Sequence, residues 1–322
     1  MQITTIGLDI AKSVFHIYGV DAHGRMVLKK QLKRKQLLLY MAQLAPCRVA
    51  MEACGGAHYW ARAFQRLGHE VKLMAPHYVK PYVKSNKNDY NDAEAICEAV
   101  QRPTMRFVPV KSLEQQDIQM IHRLRERLVK ERTRLVNQTR GLLAEYGLVL
   151  PQGIAAVRRQ LSEVLEDGEN GLTELSREQF AELLNEICEA DEKLKRYERR
   201  IEQLNQAHEV CQRLDEVMGI GPVTASALYA AAGAAREFKN GRHFSAWLGL
   251  VPRQHSSGGK NQLPGISKRG NAYLRTLLIH GARAVLRYCS HKTDRLSRWA
   301  QALKDIGGRA TQEAKAEQLP KT

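Results

Sequence analysis

The chain has 322 residues, 43% of them apolar, which is enough for two domains with buried cores and a connector. A surplus of 50 Lys and Arg over 34 Asp and Glu gives a formal charge of +16, which favours a polyanionic partner. The lack of an apolar run of about 18 residues excludes a membrane-spanning helix, and the opening segment MQITTIGLDIAK has no signal-peptide pattern. We therefore expect a cytoplasmic protein that binds nucleic acid. Its six cysteines form no CxxC pair, which argues against zinc or disulfides.

An α/β domain is predicted over residues 1–105. Residues 3–33 alternate apolar and polar types and are rich in β-branched residues, a pattern that predicts three strands in a meander. A helix (Lys35 to Leu44), the strand RVAME, the helix AHYWARAFQRLG, the strand EVKLMAP and the helix YNDAEAICEAVQ follow. The order is therefore βββ-α-β-α-β-α, typical of an α/β fold.

Residues 106–210 are predicted to form a helical connector with two long amphipathic helices. Their apolar residues recur at intervals of three, four and seven: Ile118, Ile121, Leu124, Leu128, Leu135 and Leu142, then Phe180, Leu183, Ile187, Leu194, Tyr197, Ile201 and Leu204. This near-heptad spacing predicts a coiled-coil hairpin or a dimerisation arm. The alternative is a pair of ordinary bundle helices that pack within the chain. The acidic stretch LEDGENGLTE between them is predicted to be a loop.

Residues 211–290 are predicted to form a second, mainly helical domain. It contains GIGPVTASAL, HFSAWLGLVP, a polar loop and a helix from Tyr273. Residues 291–322 are assigned to a C-terminal tail, which is polar and expected to be loosely ordered after about Gly307.

Four carboxylates in the first domain form a candidate metal site. Asp9 lies in an apolar strand, where a charge is costly unless it is paired or binds a metal. Glu52 ends the strand RVAME, and Asp89 and Asp92 share one face of a helix start. Such an oxygen-only set suits Mg²⁺ or Mn²⁺. Taken singly, each has another interpretation: a turn or the phosphate-binding strand of an actin-like ATPase for Asp9, a surface strand end for Glu52, and helix N-caps for the other two.

A basic loop in the second domain carries a candidate nucleophile. From Val251 to Ser290 the chain has seven Lys or Arg and no acidic residue, a composition suited to a phosphate backbone. Ser256 and Ser257 precede Gly258-Gly259, where a phosphodiester could approach the backbone closely. The alternative is a flexible Ser-Gly loop without a catalytic role.

The segment GIGPVTAS resembles the turn of a helix–hairpin–helix motif. Gly219 and Gly221 would leave backbone N–H groups at a helix start free to bind a phosphate. A plain tight turn with a helix cap is the alternative.

Together these blocks resemble the transposases of the insertion-sequence 110 family, which are related to the Piv-type DNA invertases. The blocks span nearly the whole chain: GLDIAK with Asp9, AMEACGG with Glu52, KNDYNDAEAI with Asp89 and Asp92, MGIGPVTASAL, AWLGLVPRQHSSGGK with Ser257, and GISKRGNAYLR.

The resemblance implies a RuvC-like, RNase H-type domain whose Asp-Glu-Asp-Asp set binds Mg²⁺. It also implies a mainly helical transposase domain whose serine becomes covalently joined to DNA; the family pattern favours Ser257 over Ser256. Further implied partners are donor and target double-stranded DNA, an element-encoded structured guide RNA, and a homo-oligomer (dimer or tetramer) in which carboxylates of one subunit meet the serine of another. The host would be bacterial.

The expected reaction is strand cleavage and rejoining through a phosphoserine. Asp9, Glu52 and Asp92 would hold the metal with support from Asp89, and Ser257 would attack phosphorus. Candidates for holding phosphates or stabilising transition-state charge are Arg253, Lys260, Lys268, Arg269 and Arg275. Two alternatives remain: a hydrolytic RuvC-like Holliday-junction resolvase with an inert serine, and a non-catalytic nucleic-acid-binding protein with structural carboxylates.

Overall fold

A computed structural model describes the backbone of residues 2–84, 88–257, 260–262 and 265–316. Side chains are described for the same residues except 255, 257, 260–262 and 306–316. The chain divides into two compact units, Met1–Ser112 and Leu113–Thr322. Within the described ranges, no helix combines the length and hydropathy needed to cross a membrane.

The N-terminal unit is built on one mixed sheet. Its strands are β1 (Thr5–Ile10), β2 (Val14–Val20), β3 (Met26–Lys33), β4 (Arg48–Glu52), β5 (Glu70–Met74) and β6 (Phe107–Val108). Its helices are α1 (Arg34–Ala42), α2 (Ala57–Arg66), α3 (Pro76–Val79) and α4 (Asp89–Val100). Among the described residues the strand order is β3-β2-β1-β4-β5-β6. The first three strands form an antiparallel meander, β4 and β5 run parallel to β1, and β6 is antiparallel to β5.

The two faces of this sheet are buried by different helices. Alternate residues of a strand point to opposite faces, so Ile6 and Leu8 join a core with Phe15, Trp60 and Phe64 beneath α1 and α2. Each such fully buried side chain contributes about 1.5–3 kcal/mol to stability. The other face of β1, which includes Gly7, is covered by α4. The strands and helices predicted for this region are found in the predicted order; α3 and β6 were not predicted.

The C-terminal unit is mostly helical. Its helices are α5 (Leu113–Ala144), α6 (Ile154–Glu166), α7 (Glu174–Ala207), α8 (Glu209–Asp215), α9 (Pro222–Ala232), α10 (Gly241–Leu248), α11 (Ala272–Tyr288) and α12 (Arg295–Ala316). A short antiparallel hairpin, β7 (His255–Ser257) and β8 (Lys260–Gln262), separates α10 from α11. The hairpin replaces part of the predicted polar loop. The predicted loose tail after Gly307 instead continues α12 to Ala316.

The two long helices α5 and α7 pack together within the chain. Leu135 and Leu143 of α5 share a core with Phe180 and Ile187 of α7, into which α6 inserts Val157. Intrachain packing fits both the predicted hairpin and the alternative of ordinary bundle helices, and a dimerisation arm stays a prediction. Leu142, assigned to the apolar seam, is instead 43% exposed, and the next residue, Leu143, is buried in its place. A seven-residue repeat drifts by about 20° per heptad on an ideal α-helix, so the apolar face moves to a neighbouring position.

Candidate metal centre and serine segment

Two of the four predicted carboxylates lie side by side at the C-terminal ends of two neighbouring parallel strands. Asp9 lies near the end of β1 and Glu52 ends β4. These strands are parallel with Leu8 opposite Met51, so the next residue of each strand occupies the same level and face. Both side chains are half-buried.

Gly7 allows α4 to pack closely against β1 and so to bring the other two carboxylates near the ends of these strands. A Cβ atom added to Gly7 would lie 2.1 Å from the Ala93 carbonyl oxygen and 2.6 Å from the Cys97 nitrogen. A side chain here would therefore force the helix away from the strand. Two residues further along the same face of β1 lies Asp9, opposite the first turn of α4, which carries Asp89 and Asp92.

The start of α4 is held by its N-cap. The Asn88 side chain accepts a hydrogen bond from the Tyr90 N–H at 3.0 Å. The positive end of the helix dipole also favours carboxylates in the first turn, by roughly 0.3–1 kcal/mol each. The local sequence NDYND thus both begins the helix and presents its acidic pair.

Three of the four carboxylates converge. One oxygen each from Asp9, Asp89 and Asp92 lies within 4.8 Å of the other two. Burial, then the charges of Asp92 and Asp89, raise the pKa of Asp9 above its ordinary value. Glu52 lies outside this set of oxygens, but its pKa is also raised, first by burial and then by Asp9 and Asp92. Burial and the mutual repulsion of the carboxylates thus both disfavour their ionised forms.

Asp89 lies in the set of converging oxygens, whereas Glu52 lies outside it and acts on Asp9 and Asp92 through its charge. Which of the four carboxylates hold a metal ion stays a prediction. The turn of helix between Asp89 and Asp92 is what aligns these two side chains.

His16 adds a buried side chain to this site that the sequence analysis did not single out. It pairs with Asp9 across the β1–β2 ladder, and its Nδ1 lies 3.7 Å from Asp89 Oδ2 without a hydrogen-bond partner in the described structure. Its ring also meets the edge of Tyr90 at 4.7 Å between centroids. A histidine in the apolar strand VFHIYGV was the available signal.

The candidate nucleophile lies in the β7–β8 hairpin of the C-terminal unit. Ser257 ends β7 opposite Lys260 of β8, while the side chains of both residues, and Gly258-Gly259 between them, lie outside the described residues. Ser256 is exposed, and its Oγ accepts a hydrogen bond from Gln254 Nε2 at 3.0 Å.

The predicted phosphate-binding cations have different surroundings. Arg253, Lys268 and Arg269 are exposed. The Lys268 N–H donates to the carbonyl of Gly249 at 3.1 Å, which ties this segment to the end of α10. Arg275 is half-buried and donates from Nη1 to the Leu248 carbonyl at 3.1 Å, so one of its N–H groups stabilises the C-terminal end of α10.

Gly219 has a packing role in the turn before α9. Its φ is +86°, and a Cβ added to Gly281 of α11 would lie 1.9 Å from the Gly219 oxygen. The two backbones therefore touch. Gly221 is the N-cap residue of α9 and is followed by Pro222 at the first helical position, which is a common helix start. The predicted turn and helix start are present, and the phosphate-binding role of these glycines stays a prediction.

Comparison with known protein families gives two matches along the chain. Residues 6–148 match a family described as "Transposase", the DEDD transposases of IS110 type. Residues 211–297 match the "Transposase IS116/IS110/IS902 family". The matched segments contain the four carboxylates and the serine hairpin respectively.

Individual relatives extend the match over almost the entire chain. A probable family 20 transposase of Pseudomonas aeruginosa is 54% identical over 94% of this chain and 90% of its own length. The transposase for insertion sequence element IS1111A of Coxiella burnetii is 48% identical, covering 94% and 83%, and that for IS1328 of Yersinia enterocolitica is 42% identical, covering 92% and 88%. The chain belongs to the IS110/IS116/IS902 family of transposases. It is therefore an insertion-sequence transposase, an enzyme that acts on DNA.

Proposed function

We propose that the N-terminal unit is a RuvC-like, RNase H-type domain that cleaves DNA with a divalent cation, Mg²⁺ or Mn²⁺. The observation that carries this proposal is the convergence of Asp9, Asp89 and Asp92, with one oxygen of each inside a 4.8 Å set. The sheet order, an antiparallel meander followed by parallel strands, supports the fold assignment.

The donor set fits a hard cation. Carboxylate oxygens are the ligands that Mg²⁺ prefers, and Mg²⁺ keeps several waters, so two or three protein oxygens suffice. Asp9, Asp89 and Asp92 would hold the ion, and Glu52 would complete the negative site. The ion would neutralise charge that develops on the scissile phosphate.

In the proposed reaction Ser257 forms a covalent bond with DNA. Its Oγ attacks phosphorus and loses its proton; the bond between phosphorus and one sugar oxygen breaks, and that oxygen takes up a proton. Rejoining reverses these steps with a different sugar hydroxyl. Each step exchanges one phosphodiester for another, so strands are rejoined without ATP. The family resemblance and the position of Ser257 before Gly258-Gly259 support this assignment.

The same proposal includes the partners that the resemblance implies: donor and target DNA, a structured guide RNA and a homo-oligomer. The basic composition supports nucleic-acid partners, with 50 Lys and Arg in the chain. Arg253, Lys260, Lys268 and Arg269 are proposed to contact phosphates near the serine.

Thermal melting with and without Mg²⁺ tests the metal centre. Mg²⁺ should raise the melting temperature of the wild-type protein, because a ligand that binds only the folded state stabilises it. Asp89→Asn should abolish the shift. Glu98→Gln is the matched control, because Glu98 lies on the same helix and pairs with Arg102. An unchanged shift in Asp89→Asn would contradict the metal assignment.

Denaturing electrophoresis of protein incubated with cleavable DNA tests the serine. Wild-type protein and Ser256→Ala should retain a covalent protein–DNA adduct, and Ser257→Ala should lose both adduct and cleavage. Cleavage without an adduct by Ser257→Ala would instead establish the hydrolytic alternative. Loss caused by Ser256→Ala alone would move the nucleophile by one residue.

A further inference from the structure

The outer edge of the sheet beside the carboxylates is strongly basic. Residues 22–51 contain seven Lys or Arg and no Asp or Glu. Most of these cations lie on or just after β3, which forms the edge of the sheet in the order β3-β2-β1. Lys29, Gln31 and Lys33 are exposed, and they alternate along the strand, so they share one face. We name these three residues the β3 row.

Strand register aligns the β3 row with the metal centre. Gln31 pairs with His16, and His16 pairs with Asp9. Adjacent strands lie about 4.8 Å apart, so the backbone of Gln31 lies roughly 10 Å from that of Asp9.

Lys29 identifies the face on which the row lies. Its Nζ lies 4.9 Å from the ring centroid of Tyr90 in α4. The β3 row is therefore on the face of the sheet that carries α4. Asp89 immediately precedes Tyr90 in the first turn of that helix.

We propose that the β3 row binds the phosphate backbone of the DNA strand that enters the carboxylate site, an inference that rests on the proposed function. An acidic cluster repels a phosphodiester, and cations at its border offset that repulsion and attract the strand. Lys29 and Lys33 are about 13 Å apart along the strand, far enough for each lysine to contact a different phosphate of one DNA strand. Gln31, between them, can donate hydrogen bonds to phosphate oxygens from its amide.

The position of the β3 row beside the carboxylates favours the DNA strand that is cleaved there as its partner. A strand that places a phosphate at Asp9 must pass over the neighbouring surface within a few nucleotides, and the β3 row occupies that surface on the edge side. Its two lysines and one amide have the chemistry of backbone contacts, which position a strand without reading its sequence.

The opposite face of β3 provides a matched control. Lys30 is exposed, and its Nζ lies 4.5 Å from the ring centroid of Tyr40, which resembles the placement of Lys29 over Tyr90. Lys35 is exposed in the first turn of α1. The pair Lys29→Gln/Lys33→Gln and the control pair Lys30→Gln/Lys35→Gln thus remove equal charge from the same region.

Fluorescence anisotropy with a labelled mixed-sequence DNA duplex measures the contribution of each pair. The titrations use the full chain in EDTA over a range of salt concentrations, so they do not depend on a bound metal. Loss of two phosphate contacts should reduce the slope of log K against log salt by about 1.8 and lower the affinity at least about tenfold. The control pair should leave the slope within about 0.5 of the wild-type value. Melting curves verify that both variants fold.

Two outcomes would overturn the proposal: an unchanged slope in Lys29→Gln/Lys33→Gln, or an equal loss in the control pair. Failure here is distinct from failure of the proposed metal site. Mg²⁺-dependent melting of the same variants reports the carboxylates separately and should match that of the wild-type protein.

Discussion

Replacing Gly7 by alanine would place a methyl group inside α4. The new Cβ would lie 2.1 Å from the Ala93 oxygen, 2.6 Å from the Cys97 nitrogen and 2.8 Å from the Cys97 Cβ. Two of these atoms belong to the backbone, so a change of rotamer cannot relieve the contact. Restoring an ordinary separation of 3.4 Å requires α4 to retreat by about 1.3 Å.

This displacement should affect both stability and metal binding. Overpacking of this kind costs about 1–3 kcal/mol, which corresponds to a fall in melting temperature of roughly 4–8 °C per kcal/mol for a unit of this size. Mg²⁺ demands ligand distances near 2.0–2.1 Å, so a shift of about 1 Å in Asp89 and Asp92 relative to Asp9 should weaken the site beyond the general loss of stability.

Calorimetry with and without Mg²⁺ measures the two effects together. Gly55→Ala is the control, because an added Cβ there meets no atom within 4 Å and the position follows Glu52 closely in the chain. Gly7→Ala should lower the melting temperature and lose the Mg²⁺ shift, and Gly55→Ala should do neither. A Gly7→Ala protein with wild-type stability and a wild-type Mg²⁺ shift would refute the role of this glycine.

Three further predictions concern charge. Burial lowers the pKa of His122 to about 4, so the folded state loses stability as the pH falls below the ordinary histidine value of 6.5. Acidification from about pH 7 to 5 should cost about 2 kcal/mol of unfolding free energy. His122→Gln should remove this pH dependence, and an unchanged dependence would contradict the prediction. Asp191→Asn should destabilise by about 2–4 kcal/mol, because Asp191 pairs with Arg132 at 2.5 Å and Arg158 at 3.0 Å; denaturant unfolding that matches wild type would disprove it. Burial, and then the charges of Asp92 and Asp89, raise the pKa of Asp9, so its ionised form destabilises the fold once the pH is above that pKa. Asp9→Asn should therefore raise the melting temperature of EDTA-treated protein at neutral pH, and a lower melting temperature would contradict this.

Local patterns in the sequence determined the elements of the N-terminal unit and the acidic residues at their ends. Alternating apolar residues in ITTIGLDI and RVAME predict strands, and NDYND predicts a helix start, because each signal lies within a few consecutive residues. Asp9, Glu52, Asp89 and Asp92 all lie within such local signals, so the sequence by itself identifies them as candidate ligands.

Only the tertiary structure decided which surfaces these elements present to one another. The period of α5 and α7 showed two amphipathic helices, but a seam has the same spacing whether its partner is in the same chain or in another one; the structure pairs them within the chain. Likewise, the places of His16 beside Asp89 and of Lys29 over Tyr90 depend on strand register and on the approach of α4 at Gly7. Register joins residues distant in sequence, and a shift of one residue would turn every side chain of β2 or β3 to the opposite face.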